Sequence, residues 1–363
     1  MRAALLEEGG RPLVIVDDVV IAAPAPGQVR VRVAHCGLCH SDLTMMNSGS
    51  IVPVILGHEA AGIVEEIGAG VTSVVPGDKV LLAPLPSCGH CYWCVRGEVT
   101  LCQTAMIGLA GIFPDGSTSL SRGGAVVYRG VGVGGFGEEV ITFESGVVKL
   151  DPDTPLEIAA VIGCAIQTGV GAVLNTAKVE EGATVLVMGL GGVGMAAVQG
   201  ARLAGASRVV VSDPFAERRD AAIRFGATDL LDPNDVDVVA ACQELTRGIG
   251  MDYAFDAAGH PDLLGTGLAA TRRGGTTVGV GVGGGAQDLT ISAAAHVMGE
   301  KKLLGCVFGS SDARREVPRM LSLWAAGRLD LEGMISFRRP LSEINEGFDD
   351  MRAGRGIRTV LDL

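Results

Sequence analysis

Cys88, Cys91, Cys94 and Cys102 form a Cys-x2-Cys-x2-Cys-x7-Cys run inside SCGHCYWCVRGEVTLC. Zinc takes soft donors at tetrahedral geometry, and two-residue gaps let one loop wrap three sulfurs round an ion while the fourth closes the shell. Four thiolates leave no coordination position open, so the run predicts a structural ion. An iron–sulfur cluster or chance cysteines in a loop are the competing readings. His90, inside the run, reads as a spacer. A second set is spread more widely: Cys39 in CGLCHSD, His58 in GHEAAG and Cys164 in GCAIQTG. Two thiolates and an imidazole leave a position for water or substrate, as a catalytic zinc requires. Singly, each of these residues reads as a core side chain; their joint occurrence round the four-cysteine lobe makes the case. Asp42 and Glu59 are expected to orient the ligands by hydrogen bonds and charge, against the plain reading of solvated carboxylates. Cys36, Cys242 and Cys306 lack partners at metal spacing and read as core thiols.

A third feature lies in ATVLVMGLGGVGMAAVQGARLAGASRVVVSD, a strand, a glycine turn, a helix and a second strand. Gly189, Gly191 and Gly194, with Gly192 and Val193 between them, make a Gly-x-Gly-x-x-Gly turn that cradles a pyrophosphate at a helix N-terminus. Asp213 follows Gly189 by 24 residues. A carboxylate there accepts hydrogen bonds from the adenosine ribose and repels a 2′-phosphate, so NAD is expected in preference to NADP. Arg218 reads equally as a second ribose contact or as a solvated helix charge.

The elements that must position these groups follow from the rest of the chain. Its 363 residues suggest two domains, and 48% hydrophobic content suffices for buried cores. With 29 Lys plus Arg against 41 Asp plus Glu, the net charge of -12 argues against nucleic acid or an anionic membrane and leaves a small molecule as the partner. Glu7 and Glu8 interrupt any apolar leader, and nine cysteines suit a reducing compartment, so a cytoplasmic protein is expected. Residues 158–177 and 182–201 carry no charge, but Gln167, Thr168 and Asn175 in one and the glycine turn in the other mark buried elements rather than membrane spans. Strands such as GMDYAFDAAG and GGTTVGVGVGG alternate with helical segments, which predicts a doubly wound parallel sheet. Short strands before Cys164 predict an antiparallel barrel. The expected boundaries are a catalytic domain over 1–165 with its lobe at 88–102, a nucleotide domain over 166–308, and a return segment over 309–363 that completes the first.

Taken together, CGLCHSD, GHEAAGIVEEIGAGV, the cysteine lobe, GCAIQTGVGA, GLGGVG with Asp213, and INEGFDDMRAGRGIRTVL resemble the zinc-dependent alcohol dehydrogenases of the medium-chain dehydrogenase/reductase superfamily from end to end. The resemblance implies an α/β protein with a GroES-like antiparallel β-barrel catalytic domain and a Rossmann coenzyme domain. It implies two zinc ions, a catalytic one on Cys39, His58 and Cys164 and a structural one on the lobe cysteines, with NAD as coenzyme. His40 and Arg358 are then expected at the pyrophosphate. Ser41 is expected to take the substrate proton. The reaction implied is reversible oxidation of a primary or secondary alcohol, medium-sized and aliphatic or aromatic, to an aldehyde or ketone. The long segment GIFPDGSTSLSRGGAVVYRGVGVGGFGEEV resembles the dimeric animal-type and class III branch, which implies a homodimer joined along an edge strand near Val278 to Val282.

Two departures stand out. Thr44 occupies the place where several relatives end the proton relay in histidine, so the terminal base is open. Met106 stands about where class III members carry the arginine that holds glutathione, so glutathione dependence is not expected. A thiol-cofactor-dependent formaldehyde dehydrogenase remains an alternative, as does a polyol or sugar dehydrogenase, although that branch commonly replaces the Cys164-type ligand with glutamate. A non-enzymatic nucleotide-binding zinc protein would have no use for the Cys39, His58 and Cys164 set.

Overall fold

The computed structural model describes residues 1–283 and 288–363. Branched apolar residues alternate with arginines in QVRVRVAHCG, and this segment forms the strand Gln28–Gly37, with Val29, Val31 and Val33 buried and Arg32 exposed. It is the hub of one sheet, pairing antiparallel with Glu59–Ile67, Glu139–Phe143 and Arg358–Asp362. Lys79–Leu82 and Val147–Lys149 extend the sheet on one side and Ile335–Pro340 on the other. A second sheet gathers Val14–Val16, Ala3–Leu6, Val54–Ile55, Ala125–Arg129, Leu120–Arg122 and Val20–Ile21 in that order. Most pairings are antiparallel, and the apolar faces share one core that includes Leu5, Ile55, Val80, Phe136 and Phe348. This is the GroES-like barrel.

The chain divides into two units: 1–164 with 312–325 and 331–363, and 165–311 with 326–330. Each has its own sheets and core. The strand Arg358–Asp362 lies beside Gln28–Gly37, and Leu38 N–H donates to the carbonyl of Thr359 at 2.9 Å, so the last residues of the chain border the Cys39 turn.

In the second unit, TVLVM, RVVVS and MDYAFD carry few charges because parallel strands are covered on both faces. The sheet runs Asp229–Leu231, Arg208–Ser212, Thr184–Met188, Met251–Asp256, Thr271–Gly279, Lys302–Gly305, all parallel. By order of appearance this is 3-2-1-4-5-6, the Rossmann order. One expectation is corrected here. Val278 does not lie on an edge strand: it pairs with Phe255 on one side and Leu304 on the other, and the edge strand is Lys302–Gly305. The doubly paired residues Thr276–Gly279 carry no charge, whereas the edge strand opens on Lys302.

Among the described residues one helical stretch, Leu156–Ala177, is long and apolar enough to cross a membrane, and 89% of its apolar window is buried within the molecule. Cys36, Cys242 and Cys306 are buried, and all nine cysteines are unbridged.

Candidate active site and metal centres

Cys39 precedes the helix His40–Ser48 and adopts the extended conformation of an N-cap. Asp42, in the first turn, accepts the Cys39 N–H on Oδ2 at 3.3 Å. Its other oxygen accepts from Gly57 N–H at 3.0 Å and from His58 Nδ1 at 3.1 Å. One buried carboxylate thus caps a helix, ties down the turn before His58 and fixes the imidazole tautomer, leaving Nε2 free as a ligand. Cys164 comes from far along the chain, in the π-helical turn Ile162–Ile166 that follows the helix Leu156–Val161. Such turns re-aim side chains and recur at functional sites.

Ligand atoms of Cys39, His58, Glu59 and Cys164 all lie within 4.8 Å of one another, and all four residues are buried. The cluster is charged as well as compact. Hydrogen bonding from Cys164 brings the Cys39 thiol well below its ordinary range, helped against burial by Arg358 and His58. The same bond, with burial, raises Cys164. Burial pulls the His58 imidazole down, but the charges of Asp42 and Cys39 carry it above its usual value. Two sulfurs, one of them inclined to ionise, and an oriented imidazole are the donor set that zinc selects.

Glu59 was expected to support the ligands from behind; its carboxylate in fact stands within ligand reach. Oε1 accepts from Arg358 at 2.8 Å, while Oε2 is buried without a partner. Burial pushes the Glu59 carboxyl up, against the pull of the Arg358 guanidinium. Arg358 also donates to the Leu38 carbonyl at 3.1 Å and approaches Cys39 Sγ at 3.8 Å. Sequence reasoning missed this arginine–glutamate pair, for which the only signal was the IRT segment itself. His40 and Ser41 are exposed at the start of the helix, and Ser41 Oγ is 3.8 Å from Cys39 Sγ. Thr44 is half-buried on the same helix.

The four lobe cysteines also converge within 4.8 Å. Sγ of Cys91 lies 3.6 Å from that of Cys94 and 3.9 Å from that of Cys102. Backbone N–H groups at His90 and Cys91 lower the Cys88 thiol to about 6, whereas burial raises Cys94 to about 12. The His90 ring is turned to the Cys88 carbonyl at 2.8 Å, as a spacer would be.

In the second unit the three glycines of the turn differ in what surrounds them. Gly189 has φ +86°, in the left-handed region. A Cβ on Gly194 would fall 1.8 Å from the Gly189 carbonyl oxygen, so helix and strand pack there without a side chain. At Gly191 a Cβ would meet nothing within 4 Å, which is the open approach a pyrophosphate needs. Gly192 and Val193 begin the helix Gly192–Leu203. Asp213, 3% exposed, accepts Leu190 N–H at 2.7 Å and Phe215 N–H at 2.9 Å and so braces the turn. The Arg218 guanidinium lies 5.1 Å from the centre of the Phe215 ring.

Residues 25–152 match the alcohol dehydrogenase GroES-like domain family, and residues 192–326 match the zinc-binding dehydrogenase family. An S-(hydroxymethyl)glutathione dehydrogenase of Escherichia coli O139:H28 is 38% identical over 99% of both chains. The chain belongs to the zinc-dependent alcohol dehydrogenases of the medium-chain superfamily. Within it, the chain is class III-like. Benzyl alcohol dehydrogenase from Acinetobacter calcoaceticus superposes with a TM-score of 0.94 at 29% identity, covering 100% of this chain and 99% of the other. A zinc-binding dehydrogenase from Sinorhizobium meliloti 1021, solved bound to NADP, has a TM-score of 0.80 at 27% identity over 100% and 99%. The protein is therefore an oxidoreductase acting on CH–OH groups, with zinc and a nicotinamide dinucleotide as its cofactors.

Proposed function

We propose that this alcohol dehydrogenase oxidises medium-sized primary or secondary alcohols, aliphatic or aromatic, with NAD as coenzyme. The observation that carries the reading is the buried convergence of Cys39, His58 and Cys164, with Asp42 fixing the imidazole. Cys39, His58 and Cys164 would hold a zinc ion that supplies Lewis-acid activation of the alcohol, and the glycine turn would hold a dinucleotide that supplies the hydride acceptor. The chain's own residues do the rest. Ser41, exposed beside Cys39, accepts the alcohol proton through its hydroxyl oxygen and passes its own onward. Thr44 cannot act as a base near neutral pH, so the proton leaves by another route. The lobe cysteines hold a structural zinc. Asp213 and the glycine turn hold the adenosine ribose and pyrophosphate, Arg218 flanks the ribose, and exposed His40 meets the pyrophosphate. Arg358, which the resemblance also assigns to the pyrophosphate, is bonded to Glu59.

The benzyl alcohol dehydrogenase likeness supports an aromatic substrate. A second reading, thiol-adduct oxidation, is favoured by the name of the 38% identical relative. Against it stands Met106, exposed and uncharged where that activity wants a cation. We also place the enzyme in the cytoplasm, where thiolate ligands stay reduced. A homodimer through the edge strand Lys302–Gly305 is supported by exposed Val297, Met298, Leu303 and Val307 on or beside it.

The test is reduced-nicotinamide absorbance with zinc-replete protein, NAD or NADP, a panel of aliphatic, aromatic and terpenoid alcohols, and formaldehyde with glutathione. Turnover of the alcohols with NAD is expected. No reduction with any alcohol refutes the reading, and turnover confined to the glutathione arm establishes the second one.

A further inference from the structure

Arg129 ends the strand Ala125–Arg129 and is 3% exposed. Its Nη1 donates to the carbonyls of Gly132 at 2.9 Å and Ile141 at 3.2 Å, and its guanidinium carbon lies 3.7 Å from the centre of the Phe113 ring. Nε is buried with no partner. Loss of hydration, with no acid to offset it among the described residues, pushes the guanidinium down to about 10. The other deeply buried arginine of this unit, Arg358, is matched by Glu59. Burying a cation is unfavourable unless a charge answers it, and carbonyl bonds with an aromatic face return only part of that loss.

The unmatched cation lines a small open recess with Pro86, Thr104, Phe113, Gly132 and Phe143, and no residue of the lining is acidic. The Phe113 and Phe143 rings meet edge to face at 5.4 Å, which makes one wall stiff and apolar. Thr104, also in the lining, stands two residues after Cys102, so the recess abuts the cysteine lobe.

We propose that this recess is a binding site for a small singly charged anion, the size of formate or a carboxylate head, held by Arg129. The planar guanidinium suits a carboxylate because it offers donors in a fixed fork. The negative charge completes a pair that the fold leaves half-made, beside the aromatic wall of Phe113 and Phe143. The same chemistry is met by a free anion or by the carboxylate end of a longer molecule.

Thermal unfolding of the zinc-replete enzyme titrated with sodium formate tests the site, with ionic strength held constant by sodium HEPES, whose anion is too large for the recess. Wild-type protein should show a saturating rise in Tm, and Arg129→Met should not. Since that variant also loses the bonds to Gly132 and Ile141, Ala105→Leu is the second probe: it keeps Arg129 and fills the recess, of which Ala105 is part. Loss of the saturable rise in Ala105→Leu supports the site even where Arg129→Met fails to fold. A rise that never saturates, or one that is equal in wild type and Ala105→Leu, overturns it. The source is read from kcat/KM for 6-hydroxyhexanoate against 1-hexanol. A preference of about tenfold for the acid, about 1.4 kcal/mol, that Ala105→Leu removes assigns the site to a substrate carboxylate. Equal values alongside saturable formate binding assign it to a free anion.

Discussion

The two sulfur clusters of the first unit are built by different means. The lobe draws its ligands from Cys88 to Cys102, a single loop in which only Cys94 and Cys102 are buried and backbone N–H groups lower one thiol. The other cluster draws Cys39, His58 and Cys164 from three distant segments, buries all of them, and adds Asp42, Glu59 and Arg358. A closed shell needs only that its own loop fold. An open one must be held by the whole unit, with neighbouring charges that keep one thiol ionised and one imidazole aimed. Stability and catalysis should therefore separate when the two are cut.

The largest expected effect comes from Cys39→Ser. Losing the metal's charge stabilisation, several kcal/mol, should lower kcat/KM by about a thousandfold or more. Zinc should fall from two ions per chain to one while Tm stays near wild type. Cys91→Ser should also remove one zinc but act mainly on Tm, because structural zinc contributes folding energy directly. Metal analysis with thermal unfolding checks both, and the reverse pattern would exchange the two roles.

Arg358→Met should come next. It leaves the Glu59 carboxyl buried without its partner, a change that costs about 3–5 kcal/mol when a buried pair is broken from one side. Urea unfolding reads this, and Glu59→Gln added to Arg358→Met should return much of the loss. If the double variant is no more stable than the single, Arg358 acts through packing rather than charge. A smaller effect is expected for Asp42→Asn, which retains a side-chain oxygen for the cap but loses the charge behind His58. Zinc affinity at the open site should drop about 10–100-fold, with the lobe's zinc unaffected.

Legibility in the sequence tracks how local each device is. The lobe and the glycine turn are legible because their spacing is the mechanism, and the doubly wound parallel sheet follows from largely apolar strands alternating with helices. Cys39, His58 and Cys164 are legible only as a set, since each alone passes for core. The Arg358–Glu59 pair was not legible: 299 residues separate its members, and only the pairing of Arg358–Asp362 with Gln28–Gly37 brings them together. Arg129 hides for a similar reason, because nothing in VVYRG says that its head is buried without an acid. The edge strand was misread through a physical slip. Val278 and Gly279 are paired on both sides, and the edge is Lys302–Gly305, which opens on a lysine.

The smallest effect sharpens the comparison inside the lobe itself, in metal-stripped protein. Cys88 has a thiol lowered to about 6 by backbone N–H groups, against an ordinary value near 9. Its folded form therefore holds fewer protons than the unfolded chain between those two values. The favourable contribution is complete above pH 9 and is lost as pH falls through about 6. Cys94, raised to about 12 by burial, works the other way and weakens the metal-free fold above pH 9. Iodoacetamide labelling followed by peptide mass analysis should give half-maximal modification of Cys88 near pH 6 and little of Cys94 below pH 9, since the thiolate is the nucleophile. Zinc should protect both. Equal rates at the two sulfurs across that range would mean that the lobe does not hold its shape without the ion, and that its geometry is imposed by the metal rather than offered to it.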